Sequence, residues 1–405
     1  MRDCSNLKKE FPVFRKYADL IYFDSASTSL IPAIVVERTT EFLSDVIVSS
    51  RRGAHKLAVK GGMLLEEVRH KLAQLIGSEP GQIAFQPSTS SAVTSLALGL
   101  NWRGDERSKI VVAQSEERDV YSSLQRVAHL LGLDFEVIPV TQRGLIDLDA
   151  AGEIIDRRTG LVAVGVVSPG TGVLNPTDTI GRIAHESGAI LLSDATRALG
   201  FTLFDIRATG ADIVVSSANI GLLGPPGLSI QWTGPTAQTH RIFDTSGMVG
   251  LSTEPASGEF YSFYDKSESA PINLPAVAGL GGAIDYLKEI GTRLVVEHIK
   301  SVSREVMNTL SGVKGLKLVT PDDVPHSIIG FAIEPGHFSG LSCHDIALLL
   351  DTKNIAVRSG MVCAQPLMER IAPDGVVQVS VHIYNTSQDV QRLGEVLHII
   401  ASEMT

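Results

Sequence analysis

The chain has 405 residues, 44% hydrophobic and 20% charged, enough for more than one domain and a substantial core. Its formal net charge of −10 argues against a general nucleic-acid binder, which carries a basic excess. No apolar run approaches the ~20 residues that span a bilayer, and the opening MRDCSNLKKEFPVFRKY lacks the apolar stretch of a secretory signal. Three cysteines, Cys4, Cys343 and Cys363, give neither a disulfide framework nor a CxxC metal spacing. The expectation is a cytoplasmic protein with reduced thiols, no metal site, no membrane segment and no nucleic-acid partner.

Along the chain, short β-branched runs predict strands at 110–113, 135–139, 161–167, 189–193, 212–216 and 228–232. Most are unbroken apolar runs, the pattern of strands covered on both faces. Helix-period segments at 119–132 and 177–187 lie between them, the second entered through Pro176-Thr177-Asp178. Strands alternating with helices predict an α/β protein with a mostly parallel sheet, whose function gathers at the carboxyl ends of the strands. The stretch 233–275 is rich in Ser, Thr, Pro and Gly, with Phe260, Tyr261, Phe263 and Tyr264, and reads as a long functional connection. Helix follows over 276–312. A smaller α/β unit comes next: strand 328–333, helix 343–351, strand 355–358 and a last helix over 387–402. The domains expected are a large one at 21–282 and a small one formed by 1–20 with 283–405.

Four segments carry chemistry. Asp194 ends the apolar strand AILLS, and a carboxylate there needs a cation or strong donors; it reads as a helix cap, as an ion-pair partner, or as a ligand-facing group. Thr89 and Ser90, between a strand-like IAF and a helical SLALGL, read as an anion site at a helix start or as a simple cap. The run 216–227 is rich in Gly and Pro, which fix a tight turn. Cys363 follows Arg358-Ser359-Gly360-Met361-Val362; it is either a small buried hydrophobe or a thiol made reactive by the arginine.

In this order and spacing these segments resemble the class V aminotransferases, in particular the cysteine desulfurase and selenocysteine lyase group. Ile21-Tyr22-Phe23-Asp24-Ser25-Ala26-Ser27-Thr28 looks like the family's opening YLDNAAT, and Arg52-Gly53-Ala54-His55 like its HRGxH. Val167-Ser168 through Asn175-Pro176, then Asp194, look like its VSN…NP and VDGAQ segments. Arg358 to Met368 is close to RTGHHCAQPLM, and Tyr384-Asn385-Thr386 matches YNT. The likeness runs from about residue 12 to residue 400. It implies a fold-type-I architecture with a large and a small domain, a homodimer, and pyridoxal phosphate as cofactor. It further implies that Asp194 faces the pyridine nitrogen, that Thr89 and Ser90 hold the phosphate, and that Cys363 is the thiol that takes up sulfur.

The chain departs from the family at several of these places. The family's Schiff-base lysine matches Ile220 and the histidine before it Asn219, after a retained Ser217; no lysine occurs between Lys109 and Lys266. The ring-stacking histidine matches Arg118, the glutamine facing the cofactor's phenolic oxygen Arg197, and a substrate-binding arginine Gln378. The threonine lent by the partner subunit matches Pro271, just after Glu268. His55, Asp194, Ser217, Arg358, Cys363, Tyr384 and Asn385 are kept. Losing a positioned acid–base group costs ~10²–10⁴-fold in rate, and losing the tether adds to that. Three expectations follow. The first is a pocket turned to a small anionic ligand bound by Arg118 and Arg197, or to lysine-independent chemistry with Cys363 as reactive thiol, pyridoxal phosphate being held at most non-covalently. The second is an active enzyme using Lys56 or Lys266. The third is a non-catalytic dimerisation or sulfur-transfer partner that meets a sulfur-acceptor protein.

Overall fold

The computed structural model describes residues 4–49, 53–100, 102, 107–235, 237, 267–268, 271–322 and 327–403. After helix α1 (Pro12–Lys16) and strand β1 (Ile21–Tyr22), helices α2 (Ala33–Glu41) and α3 (Lys56–Ile76) lead into the main α/β array. Its strands are β2 (Ile83–Gln86), β3 (Lys109–Ala113), β4 (Asp134–Ile138), β5 (Thr159–Ala163), β6 (Ile190–Asp194), β7 (Ile213–Ser217) and β8 (Ser229–Thr233). Helices α4 (Thr89–Gly99), α5 (Arg118–Leu131), α6 (Leu148–Ile154) and α7 (Thr177–Glu186) connect them. The sheet order is β2-β8-β7-β6-β5-β3-β4. The run from β7 to β4 is parallel, while β8 pairs antiparallel with both β7 and β2.

Both faces of this sheet are covered, which is why its strands read as unbroken apolar runs. Ile110, Val112, Leu161, Leu192 and Val215 pack under α4 and α5. Val111, Ala113, Val162 and Leu191 pack against Ala151 of α6 and Ile180 and Ala184 of α7. The chain therefore delivers the carboxyl ends of β3, β5, β6 and β7 to one edge.

The second sheet is antiparallel, in the order β12-β13-β10-β9, from β9 (Leu316–Leu318), β10 (Ile328–Ile333), β12 (Arg358–Gly360) and β13 (Val376–Ser380). The short strand β11 (Ile355–Ala356) pairs in parallel with β1, and Asp24 bridges to Ser380. Residues 21–24, placed with the large domain on sequence grounds, thus hydrogen-bond to strands of the C-terminal unit. The predicted helix over 276–312 is two helices, Leu274–Ile290 and Thr292–Ser311, because Gly291 between them has φ 101°. The predicted strand over 355–358 is likewise β11 and β12. Most of the stretch 233–275, Lys266 and its four aromatic residues included, lies outside the described residues. Among the described residues no helix is long and apolar enough to cross a membrane.

Two glycines set one local feature. A Cβ on Gly221 would lie 1.8 Å from the Leu199 carbonyl oxygen, and one on Gly200 would lie 1.9 Å from the Gly221 carbonyl oxygen. The turn after β6 and the turn after β7 therefore cross main chain against main chain, which only glycine allows.

Candidate functional site

The strand ends bring three carboxylates and an arginine together. Asp194, the last residue of β6, is 6% exposed, and its Oδ1 accepts from the Thr196 N–H at 2.7 Å. Burial raises its carboxyl above the usual range against the pull of Thr196 and Arg197. Glu116, beyond the end of β3, is 1% exposed. Its Oε1 accepts from the Glu117 N–H at 2.8 Å, and its Oε2 has no partner among the described residues. Gly165 lies so near that a Cβ there would stand 3.0 Å from Oε1. Burial, then the charge of Asp194, push Glu116 up to about 8, so it keeps its proton at neutral pH. Glu117 stands at the N-cap position of α5 and forms an ion pair with Arg197, which is itself buried. Burial raises the Glu117 carboxyl although Arg197 opposes the shift.

The second half of the site comes from the C-terminal unit. Arg358, which opens β12, donates from Nη2 to Cys363 Sγ at 3.0 Å and from Nη1 to Ser27 Oγ, and Ser27 donates in turn to Asp24. Burial raises the Asp24 carboxyl, while Ser27 and Arg358 lower it. The Cys363 carbonyl accepts from the Arg118 N–H at 2.8 Å, so the cysteine loop is pinned to the start of α5. Val362 and Cys363 both take left-handed backbone conformations, φ 41° and 58°, a cost that surrounding contacts must hold in place. The thiol's acidic neighbour is Glu117. Burial and that carboxylate raise the thiol's pKa more than Arg358 and Arg197 lower it. Asp24, Ser27, Arg358 and Cys363 thus form one hydrogen-bonded run, with the Glu117–Arg197 ion pair acting on the same sulfur.

The remaining sequence-predicted residues fall into three sets. Ser217 and Asn219 sit near the Asp194 end: Ser217 donates to Asn219 Oδ1 at 2.6 Å, its N–H donates to Thr196 Oγ1 at 3.0 Å, and Asn219 donates to Thr28 Oγ1 at 3.1 Å. Ile220, next in line, is 7% exposed and belongs to the main apolar cluster. At the start of α4, Thr89 is buried with its hydroxyl 3.3 Å from Ser229 Oγ. Ser90 faces an open cleft of about 390 Å³ shared with Arg118 and Arg126. A third set is structural in its contacts. Gln378 is buried and donates to the Pro169 carbonyl at 2.8 Å. Tyr384 hydroxyl lies 2.7 Å from Ser25 Oγ, and Asn385 donates to the Tyr22 carbonyl at 2.8 Å. His55 and Lys56 are exposed; His55 caps α3 by accepting from the Ala58 N–H at 3.3 Å.

One expectation needs correction. Arg118 and Arg197 do not add two free positive charges to one pocket. Arg118 is exposed, whereas Glu117, one residue earlier and one helical step inward, meets Arg197 and offsets its charge. Sequence reasoning passed over Glu116 and Glu117, although two acidic residues just beyond the apolar strand IVVA, after Gln114 and Ser115, were a signal at a sheet's carboxyl edge. Among the described residues no group of three or more His, Cys, Asp or Glu could hold a metal ion, and Pro271 is exposed.

Comparison with known proteins gives consistent matches. The family model described as Aminotransferase class-V matches residues 21–393. A probable cysteine desulfurase of Methanothermobacter thermautotrophicus is 32% identical over 404 residues, covering 98% of each chain. The apo structure of a cysteine desulfurase from Thermococcus onnurineus NA1 superimposes with a TM-score of 0.89 at 28% identity, covering 100% of this chain and 99% of that one. The cysteine desulfurase CsdA of Escherichia coli, at 22% identity, shares the fold with a TM-score of 0.85 over the full length of both chains.

Proposed function

Since the chain belongs to the class-V aminotransferases and has the fold-type-I architecture of cysteine desulfurases, we propose that it is a desulfurase-like homologue whose chemistry centres on the Cys363 thiol and does not run through a lysine-linked cofactor. The observation that carries this reading is the pairing of two facts. The turn after β7 places Ile220 in the apolar cluster, while Arg358, Glu117 and Arg197 are gathered around Cys363. Neither Lys56 nor Lys109 stands as a ready substitute amine. Lys56 is exposed at the start of α3. Lys109 is buried at the opposite, amino-terminal end of β3, committed to Asp156 at 3.0 Å and to the Ile154 carbonyl at 2.6 Å. Lys266 lies outside the described residues. The reading includes a cytoplasmic homodimer that meets a sulfur-acceptor protein, with the two sheets as cores of the two expected domains.

Pyridoxal phosphate fits part of the site. The buried Asp194 carboxylate, with Oδ1 held by Thr196, suits the ring nitrogen, and the hydroxyls of Thr89 and Ser90 at the start of α4 suit the phosphate. When bound, the cofactor supplies an electron-accepting ring. In that setting Asp194 would hold its proton-poor form against the ring, Ser217 and Asn219 would order the adjoining turn, and Arg358 would orient an acidic group of the substrate beside Cys363. With Ile220 at the place of the family's lysine, this reading takes cofactor binding to be non-covalent. A second reading, a small anionic ligand, draws on Ser90, Arg118 and Arg126 lining one open cleft; binding of inorganic phosphate that Arg118→Ala abolishes would support it.

The test is the absorption spectrum between ~300 and ~450 nm, taken before and after adding pyridoxal phosphate, borohydride and dialysis. The expected result is a free-aldehyde band that dialyses away and leaves no label on the chain. A band that borohydride fixes to Lys56 or Lys266 would establish an active lysine elsewhere and overturn the reading.

A further inference from the structure

We propose that Glu117 is the base that takes the proton of Cys363 when the sulfur attacks, and that Arg197 is the positioning residue that holds Glu117 there. This rests on the reading of Cys363 as the reacting thiol. The geometry is specific. Glu117 is the thiol's acidic neighbour, and its carboxylate is paired with the buried Arg197. The Arg118 N–H, one residue along, holds the Cys363 carbonyl at 2.8 Å, so sulfur and carboxylate are referenced to the same turn of α5. Arg358 approaches the sulfur at 3.0 Å, where it would steady negative charge as the S–H bond breaks. Arg197 keeps its Nε unpartnered among the described residues although the side chain is buried, so its pairing with Glu117 does not use every donor. Burial raises both the carboxyl and the thiol, which brings the base toward the working pH and leaves a thiol that needs one.

The step balances without any external oxidant. With an alkyl persulfide R–S–SH as co-reactant, the Cys363 sulfur bonds to the outer sulfur while its own proton passes to Glu117. The S–S bond of the persulfide breaks, its electron pair leaves with RS⁻, and RS⁻ takes the proton back from Glu117. The products are Cys363–S–SH and RSH. A chromogenic aryl disulfide reports the same first half: the Cys363 sulfur forms the new S–S bond, Glu117 receives the proton, and an aryl thiolate departs.

The experiment measures the rate of that disulfide exchange from pH 6 to 9 in the native protein and in Glu117→Gln, after subtracting the rate of Cys363→Ser. A merely repelling carboxylate and a base predict opposite signs. Removing a repelling charge lowers the thiol's pKa and speeds reaction at neutral pH. Removing a base slows it, by about 10²-fold at neutral pH, even though the thiol becomes more acidic. Glu117→Asp is expected to recover part of the loss, and native exchange is expected to slow in D₂O, a readout that needs no variant. A faster Glu117→Gln, or no slowing of the native protein in D₂O, overturns the proposal and leaves the thiol reading intact. Native exchange no faster than that of Cys363→Ser removes both.

Discussion

Glu116 sits in an environment far from that of water. It ionises near 4.5 in an ordinary setting and near 8 in the folded chain, because burial and then Asp194 disfavour the charged form. Between those two values the folded state binds the extra proton and the unfolded state does not. Stability therefore falls as the pH rises from about 4.5 to about 8 and levels off beyond. Glu116→Gln is expected to remove this slope, raising stability by about 3–5 kcal/mol at pH 8 and leaving it nearly unchanged at pH 4. Urea unfolding at both values checks this; a variant that keeps the native slope would assign the effect to another group. The same residue scale explains why Arg118 was misread from sequence. Glu117 and Arg118 are adjacent, and only the entry direction of α5 decides which of them turns inward. That direction is set by the carboxyl end of β3 and by Cys363, residues far away along the chain.

Among the elements, α3 is tied to the connection that follows the undescribed stretch. Arg69 of α3 is buried and donates from Nη1 to the Ile83 carbonyl at 2.5 Å and to Glu268 Oε1 at 2.6 Å, while Glu268 Oε1 also accepts from the Phe85 N–H at 2.8 Å. The guanidinium carbon stands 5.0 Å from the Phe85 ring centroid. Removing one partner of a buried pair leaves the other charge uncompensated, so Glu268→Ala is expected to cost about 3–5 kcal/mol. The double variant Arg69→Met with Glu268→Leu is expected to recover most of that, since apolar replacements can match a buried pair; denaturant midpoints decide. Several elements were legible before the structure. The parallel strands declared themselves because coverage on both faces demands apolar runs, and their ends shift by a residue at most, apart from the run at 161–167, which leaves the sheet after Ala163. The pair β12 and β13 was less visible. Arg358-Ser359-Gly360 is polar, and Val376–Ser380 carries Gln378, whose amide donates to the distant Pro169 and Gly170 carbonyls. Helix α3 shows Leu65, Val68, Leu72 and Ile76 at helical spacing, a pattern that was available in the sequence.

At the scale of the molecule, the candidate site lies where the two sheets meet. Asp194 and Glu117 arrive from the parallel sheet's carboxyl edge. Arg358 and Cys363 arrive from the antiparallel one, and residues 21–27 stitch the two through Ser380, Asn385 and Arg358. The crossing of Gly200 and Gly221 has a bearing on how such a site could be rebuilt. The main chain alone dictates the course of the turn that carries residue 220, because neither glycine leaves room for another path. The side chain at 220 is a passenger on that turn. Exchanging it for a lysine therefore asks for no new loop and no shift of Asp194, only for room among apolar neighbours. On our reading, the scaffold could be retrofitted for covalent cofactor anchoring by a single codon.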